Sequence, residues 1–133
     1  MTLMPTVFEV NETLGYSQAA RVGGFLFISG QVAMDEQGNL VGRDDIWAQT
    51  GQVFANLRRM LETGGSSLDQ VVKLTIFVTR LEYLAMVREI RKRVFGPLGF
   101  YPASTAVVVS SLARPEWMVE VEAIATVRDA AGG

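Results

Sequence analysis

The chain has 133 residues, of which 49% are apolar, and its formal net charge at pH 7 is −2. This length favours a single domain spanning residues 1–133 with a sizeable core, and the charge favours neither nucleic acid nor an anionic membrane as a partner. Because the sequence contains no cysteine and no histidine, it excludes disulfides, thiolate nucleophiles and Ser-His-Asp triads, and we expect neither a metal nor another cofactor.

The first part of the chain is predicted to form three short strands. Val7–Val10 is a short apolar run that suits an edge strand. Tyr16–Val22 and Phe25–Ser29 flank Gly23-Gly24, which is a strong hairpin signal because glycine adopts positive φ without a steric penalty. We therefore expect an edge strand followed by a β-hairpin.

A helix is predicted after these strands. Asp44 or Asp45 suits its N-cap, and Gly64-Gly65 suits its C-terminal stop, so the helix should run to about Thr63. Apolar residues that recur at helical spacing should form its buried stripe. They are Trp47, Val53, Phe54, Leu57, Met60 and Leu61.

The second part of the chain contains three more strands and a second helix. Val71–Thr79 is rich in β-branched and aromatic residues and should be a strand. Leu81–Phe95 should be a helix that ends at Gly96-Pro97, because proline cannot continue a helix. Two further strands and a frayed tail complete the chain: Ser104–Val109, Trp117–Val127 and Ala130–Gly133.

The predicted order, β-β-β-α-β-α-β-β, gives an α+β fold in which two helices cover one face of a mixed sheet. Side chains alternate between the two faces of a strand. This alternation places one set under the helices: Val72, Leu74, Ile76 and Val78. It places another set on the opposite face: Lys73, Thr75, Phe77, Ser104, Ala106, Val108, Glu120, Glu122 and Ile124. That face is too apolar for water and too charged for a core, so we expect a homo-oligomer interface with polar pockets.

Several segments, taken together in order and spacing, resemble the RidA/YjgF family of small enamine/imine deaminases over roughly residues 7–127. The segments are GYSQ at 15–18, FISGQ at 27–31, VVKLTIFV at 71–78, PA at 102–103 and VEVEAIA at 119–125. The resemblance implies a chorismate-mutase-like domain of the bacillus type, assembled as a homotrimer with three clefts at the subunit boundaries. It also implies a substrate class, namely reactive imines and enamines derived from amino acids.

The same resemblance implies which residues line the cleft. Glu120 would position a water and handle its proton, with a pKa raised by desolvation. Tyr16 and Ser29 would donate hydrogen bonds to the substrate. Gly30 would permit a close approach to the backbone, and the backbone near Ala106 would complete the wall.

One position departs from the family's pattern. The family usually has an arginine after Pro-Ala, where it clamps the carboxylate of an imino acid, and this chain has Ser104. A guanidinium group offers a carboxylate two charge-assisted hydrogen bonds, whereas a serine offers one donor and no charge. We therefore expect Ser104 to be a pocket wall, and Arg88 on the second helix is the candidate for a compensating cation.

Two functions remain open. The first is a metal-free deaminase or related hydrolase that acts on a small imine or enamine, and the second is a trimeric module that binds a small metabolite without turnover. Ribonuclease activity, which is sometimes attached to the family, is disfavoured by the lack of histidine and by the acidic charge. The N-terminus has neither a basic start nor a long apolar run. We therefore expect no signal peptide, no membrane partner and a cytoplasmic location.

Overall fold

The computed structural model of the protein describes residues 4–128. Six strands and two helices follow the predicted order: β1 Thr6–Asn11, β2 Tyr16–Val22, β3 Phe25–Gln31, α1 Ile46–Thr63, β4 Val71–Val78, α2 Tyr83–Phe95, β5 Ala103–Val108 and β6 Val119–Thr126. The predicted tail, Ala130–Gly133, lies outside the described residues. No helix in residues 4–128 is long and apolar enough to cross a membrane.

The six strands form one mixed sheet in the order β1-β2-β3-β6-β4-β5. All neighbouring strands are antiparallel except β4 and β5, which are parallel and are joined through α2. Both helices pack on the same face, where their apolar side chains and those of the sheet form one core. The prediction of an α+β fold with two helices on one face of a mixed sheet is therefore confirmed.

Helix α1 begins where a side chain satisfies its free amides. Asp45, one of the two predicted caps, accepts a hydrogen bond from the Ala48 amide at 3.1 Å. In the first turn of the helix the buried side chain is Ile46, which directly precedes the residue that was predicted to be buried. Trp47 was predicted to be buried, but this is wrong, because the side chain is 43% exposed and packs beneath the Arg93 guanidinium.

Strand β4 contains an irregularity that the alternation pattern does not reveal. Val71 pairs with Ala125 and Lys73 pairs with the next residue along β6, Ile124, so Val72 is the extra residue of a β-bulge. The prediction that Val72 lies under the helices is therefore wrong: Val71 is buried instead, and Val72 is exposed. From Leu74 onward the alternation holds as predicted.

Strand β5 has the opposite facing from the one predicted. Ser104 pairs with Leu74, and Ala106 pairs with Ile76, both of which are buried beneath the helices. Paired residues of parallel strands share a face, so Ser104, Ala106 and Val108 lie on the helix side of the edge strand, and the prediction for these three is wrong. Thr105 takes the open-face position, where its hydroxyl bonds the Lys73 ammonium at 2.6 Å. The run STAVVV has no clear polarity difference between its two faces, so pairing with β4 decides the facing.

The face of the sheet away from the helices is open and partly apolar. Phe25, Phe27 and Val107 are each well exposed there. On β6 the predicted alternation is confirmed, because the open face carries Glu120, Glu122, Ile124 and Thr126 while the residues between them are buried. Of these open-face side chains, Glu120 also lines the candidate site.

Candidate functional site

A cavity of about 760 Å³ opens where strands β2, β3 and β6 lie side by side. Four of the predicted site residues line it: Tyr16, Ser29, Gly30 and Glu120. They come from three neighbouring strands, so the sheet itself fixes their spacing. Cavities of this size accommodate small-molecule ligands, and these four residues contribute a carboxylate, two hydroxyls and the backbone of a glycine to the wall.

The Glu120 side chain lies directly against the backbone of Gly30. A Cβ atom built on Gly30 would stand 2.6 Å from Glu120 Cδ and 2.8 Å from Glu120 Cγ, which is closer than real side-chain atoms approach. Pairing between β3 and β6 is irregular here, because Ile28 pairs with Ala123 and Gln31 pairs with Val121. Three steps on β3 thus match two steps on β6, and this irregularity redirects the backbone at Ser29 and Gly30. The missing side chain at Gly30 leaves the space that the Glu120 carboxylate fills.

The environment of Glu120 makes its carboxyl group harder to ionise than that of an ordinary glutamate. Partial burial raises the pKa of the Glu120 carboxyl above its ordinary value, and the charge of Glu122 on the same face of β6 raises it further. A carboxyl group with a raised pKa exchanges protons more readily near neutral pH than an ordinary one, which suits general acid–base chemistry. Among the predicted site residues, Glu120 is the one that joins a raised pKa to a position on the cavity wall.

The two cavity hydroxyls are organised differently from one another. The Ser29 hydroxyl donates to the backbone carbonyl of Ser17 at 2.7 Å, so its oxygen is left to accept a hydrogen bond from a ligand. Donation from Ser29 to a substrate, as predicted from the sequence, would require this bond to break. Tyr16 is approached by the Gln18 amide at 3.4 Å, with the amide donating. The Tyr16 phenol therefore keeps its own proton for a ligand.

A buried amide holds this part of the wall in place. Gln31 is 6% exposed, and its Nε2 donates at 2.9 Å both to Gln18 Oε1 and to the Ser29 carbonyl. Burying an amide without partners is costly, whereas a paired one orders its neighbours. Gln31 thus orients Gln18, which in turn faces Tyr16.

Two arginines, Arg59 and Arg114, line the cavity within residues 4–128, and they differ in whether a carboxylate pairs with them. Arg59 donates to both carboxylate oxygens of Glu9, at 2.8 and 3.3 Å, and lies 3.6 Å from Glu36. The hydrogen bond to Glu9 raises the pKa of Arg59 above its ordinary value, so the residue is charged but already paired. Arg114 has no carboxylate partner in the described part of the chain. Sequence reasoning did not single it out, although the dipeptide Arg114-Pro115 marks a turn just before β6.

Three predicted site residues lie away from this cavity in the single chain. Ser104 and Ala106 belong to β5, the strand at the edge of the sheet, with β4 between them and β6. Arg88 is exposed on α2. The cation next to Ser104 is Arg91, whose Nη1 donates to the Ser104 hydroxyl at 3.0 Å. Of the arginines on α2, it is therefore Arg91 that contacts position 104 directly.

The fold is that of a class of small α+β proteins with a chorismate-mutase-like architecture. The profile of the family described as "Endoribonuclease L-PSP" matches residues 9–127. The chain belongs to this family, which is also known as RidA/YjgF.

Individual relatives agree with this assignment. A RutC family protein of Pyrococcus abyssi is 39% identical over 110 residues, covering 83% of this chain and 84% of that protein. A protein of Dermatophagoides farinae named 2-iminobutanoate/2-iminopropanoate deaminase is 30% identical over 112 residues, covering 84% of this chain and 85% of the relative. Among solved structures, a putative endoribonuclease of Thermotoga maritima is 43% identical, with a TM-score of 0.78 and coverage of 86% of this chain and 87% of that one.

Proposed function

We propose that this protein hydrolyses a small, reactive imine or enamine to the corresponding carbonyl compound and ammonia, without a metal or other cofactor. The observation that carries the proposal is the half-buried Glu120 carboxyl, which has a raised pKa and lies on the wall of a ligand-sized cavity beside two hydroxyls. The relative that carries a deaminase name, similar over most of both chains, agrees in the reaction type.

The proposed chemistry uses one proton acceptor that later becomes the donor. Ionised Glu120 takes a proton from a water molecule as the water oxygen bonds to the imine carbon, and it passes this proton to the imine nitrogen as the second C–N bond breaks. In the resulting tetrahedral intermediate, Glu120 takes the proton of the new hydroxyl group as the carbonyl bond forms and passes it to the amino group, which leaves as ammonia. Tyr16 donates to the developing oxygen or nitrogen, and the Ser29 oxygen accepts from the imine N–H.

We further propose that the protein works as a homotrimer. Support comes from the open face of the sheet, where Phe25, Phe27 and Val107 are exposed in the single chain. Burying such side chains is favourable by roughly 1.5–3 kcal/mol each. In a trimer of this kind, the β5 edge of one subunit would meet the Glu120 cavity of the next, which would bring Ser104, Ala106 and Arg88 to a site from which they are distant within one chain.

The test is a deaminase assay on imines generated in situ, some neutral and some bearing a carboxylate. Wild-type protein should release ammonia faster than the uncatalysed reaction, and Glu120→Gln should lower the rate by about 10²–10⁴-fold, because it keeps the shape but removes the proton acceptor. Glu122→Gln, assayed at a pH above the midpoint of the wild-type rate profile, where Glu120 is ionised in both proteins, is the matched control, since Glu122 lies on the same face of the same strand but is exposed and outside the cavity. Equal activity in Glu120→Gln and wild type would remove Glu120 from the mechanism.

The alternative function is a trimeric module that binds a metabolite without turnover. It is favoured by one observation: position 104, where the family usually has an arginine, is a serine already engaged by Arg91. The same assay separates the two functions, because a binding module would take up carbonyl compounds in calorimetry but release no ammonia from any imine. A cytoplasmic location remains a prediction, which fractionation of the cells that make the protein would test.

A further inference from the structure

The loop that leads into β6 contains a turn whose residues Arg114 and Trp117 line the cavity. The amide of Trp117 donates to the carbonyl of Arg114 at 3.2 Å, which closes a four-residue turn with Pro115 at its second position. Proline fixes φ at the value that this turn position requires, so the turn is pre-formed. The segment is therefore not a loose connection between β5 and β6.

A buried residue of helix α1 fastens this turn to the core. Gln49 is fully buried; its Nε2 donates to the Glu116 carbonyl at 2.9 Å, and its Oε1 accepts from the Met118 amide at 2.8 Å. The two bonds flank Trp117, whose side chain is 8% exposed. Because the amide is buried and paired on both sides, the position of Trp117 is fixed relative to the sheet.

The Arg114 side chain lies across this fixed indole. Its guanidinium carbon is 5.1 Å from the centre of the Trp117 ring, a cation–π geometry that restricts the rotation of an otherwise long and mobile side chain. A guanidinium held over a ring face can still donate hydrogen bonds from the N–H groups that point away from the ring. No carboxylate in residues 4–128 pairs with those groups.

Arg114 and Trp117 line the same cavity as Glu120, Ser29 and Tyr16. The other cavity arginine, Arg59, is held by Glu9 and Glu36. The cavity wall therefore carries both the Glu120 carboxyl and a guanidinium that lies over a fixed indole and has no carboxylate partner in residues 4–128. Building on the proposed function, we infer that Arg114 is the residue that recognises an anionic group on the substrate, in place of the arginine that position 104 lacks.

The assignment has a chemical consequence for specificity. A guanidinium edge fits a planar carboxylate in two parallel hydrogen bonds, whereas a neutral amide of the same shape offers only one acceptor oxygen. Arg114 should thus contribute to binding of the acid and little to binding of the amide. Since it lies apart from the reacting bond, its loss should raise KM more than it lowers kcat.

The experiment compares 2-iminopropanoate with its amide, both generated in situ, in wild type, Arg114→Gln and Arg114→Lys. Arg114→Gln should lower kcat/KM for the acid by about tenfold to a hundredfold, as expected for loss of a charged hydrogen-bonding partner, while kcat/KM for the amide changes by less than about twofold. Arg114→Lys should retain part of the preference, because it keeps the charge without the fork. Arg93→Gln is the matched control: Arg93 also covers an indole, that of Trp47 at 5.6 Å, but lies outside this cavity.

The outcomes separate this inference from the proposed function. Equal losses on acid and amide, no loss in Arg114→Gln, or the selective loss appearing in Arg88→Gln or Arg91→Gln would overturn it. If wild-type protein turns over neither of these imines nor any other imine of the panel, the proposed function fails, and the same variants are compared by calorimetric titration with pyruvate and with pyruvamide. Weaker pyruvate binding by Arg114→Gln would then still support the inference, whereas wild-type protein that does not bind pyruvate would overturn it. Arg114 is exposed, so the variants should keep the fold, which circular dichroism verifies.

Discussion

The Glu120 carboxylate occupies the space that a side chain at Gly30 would need, with 2.6 Å between Glu120 Cδ and the position of a Cβ on Gly30. Gly30 does not have positive φ, so the requirement for glycine comes from this contact and not from backbone conformation. The catalytic proposal and the packing of two strands thus depend on the same pair of residues.

Gly30→Ala should therefore displace Glu120 without unfolding the protein. The added methyl group pushes the carboxyl from its position, and displacements of about 1 Å at a reacting group cost on the order of 10²-fold in rate. We expect deaminase activity to fall by about that factor while thermal unfolding stays cooperative. Gly24→Ala is the control, because Gly24 also lacks positive φ and a Cβ there meets nothing within 4 Å. Full activity in Gly30→Ala would show that the Glu120 position does not matter to the reaction.

The rate should depend on pH through Glu120. Proton abstraction requires the ionised carboxylate, and burial raises the pKa at which it forms. The value of kcat/KM should therefore increase with pH through a midpoint above that of an ordinary glutamate. Glu122→Gln removes the charge that raises this pKa further, so it should move the midpoint to lower pH. A midpoint that is unchanged in Glu122→Gln would mean that another group governs the profile.

The raised pKa of Glu120 should also make the free energy of unfolding depend on pH, in a direction that can be stated in advance. Because folding raises the pKa of Glu120, the folded state binds this proton more tightly than the unfolded state does, and the resulting stabilisation is complete below the unfolded pKa. It is lost as pH rises through the folded pKa. Wild type should therefore lose stability relative to Glu120→Gln as pH rises across that interval and keep a constant difference above it. Denaturant unfolding at several pH values measures this difference, and a difference independent of pH would contradict the raised pKa.

The sequence carried enough information to predict the fold and to name four of the residues that line the cavity. The alternation of Glu120 and Glu122 with buried residues on β6 survives because its two faces differ sharply in polarity. The hairpin at Gly23 follows from a backbone preference that needs no tertiary context, and Gly23 adopts φ of 58°. Strand alternation and glycine turns of this kind depend on local sequence and can be predicted without a structure.

The features that the sequence did not predict depend on contacts between residues that are far apart in the sequence. Ser104 was assigned to the wrong face because β5 has little polarity of its own, and its register with Leu74 is set by β4. The extra residue at Val72 arises in the same way from pairing with β6. Arg114 was missed because its position depends on Gln49, which is 67 residues from Glu116 in sequence. No periodicity links two such residues.

Position 104 provides a further prediction. Ser104→Arg alone would place a second guanidinium beside Arg91, whose Nη1 is 3.0 Å from the Ser104 hydroxyl, and like charges at that distance repel. In wild-type background we expect little gain on 2-imino acids. In the Arg114→Gln background, the pair Ser104→Arg and Arg91→Gln should recover part of the activity on the acid, if residue 104 of one subunit reaches the cavity of the next. No recovery, measured by the same ammonia release, would mean that residue 104 does not serve the cavity.

Assembly should depend on the open face of the sheet. Phe27→Asp places a charge at the centre of that face, and if subunits pack there, burying an unpaired carboxylate should prevent association. Trp47→Asp is the control, because Trp47 is 43% exposed against 44% for Phe27 but lies on the helix layer. Sedimentation velocity at micromolar concentration should show a trimer for wild type and Trp47→Asp, and a monomer for Phe27→Asp. The monomer should also lack deaminase activity, since residues of the neighbouring β5 edge would no longer meet Glu120. A wild-type monomer, or a Phe27→Asp trimer with full activity, would exclude this face as the interface.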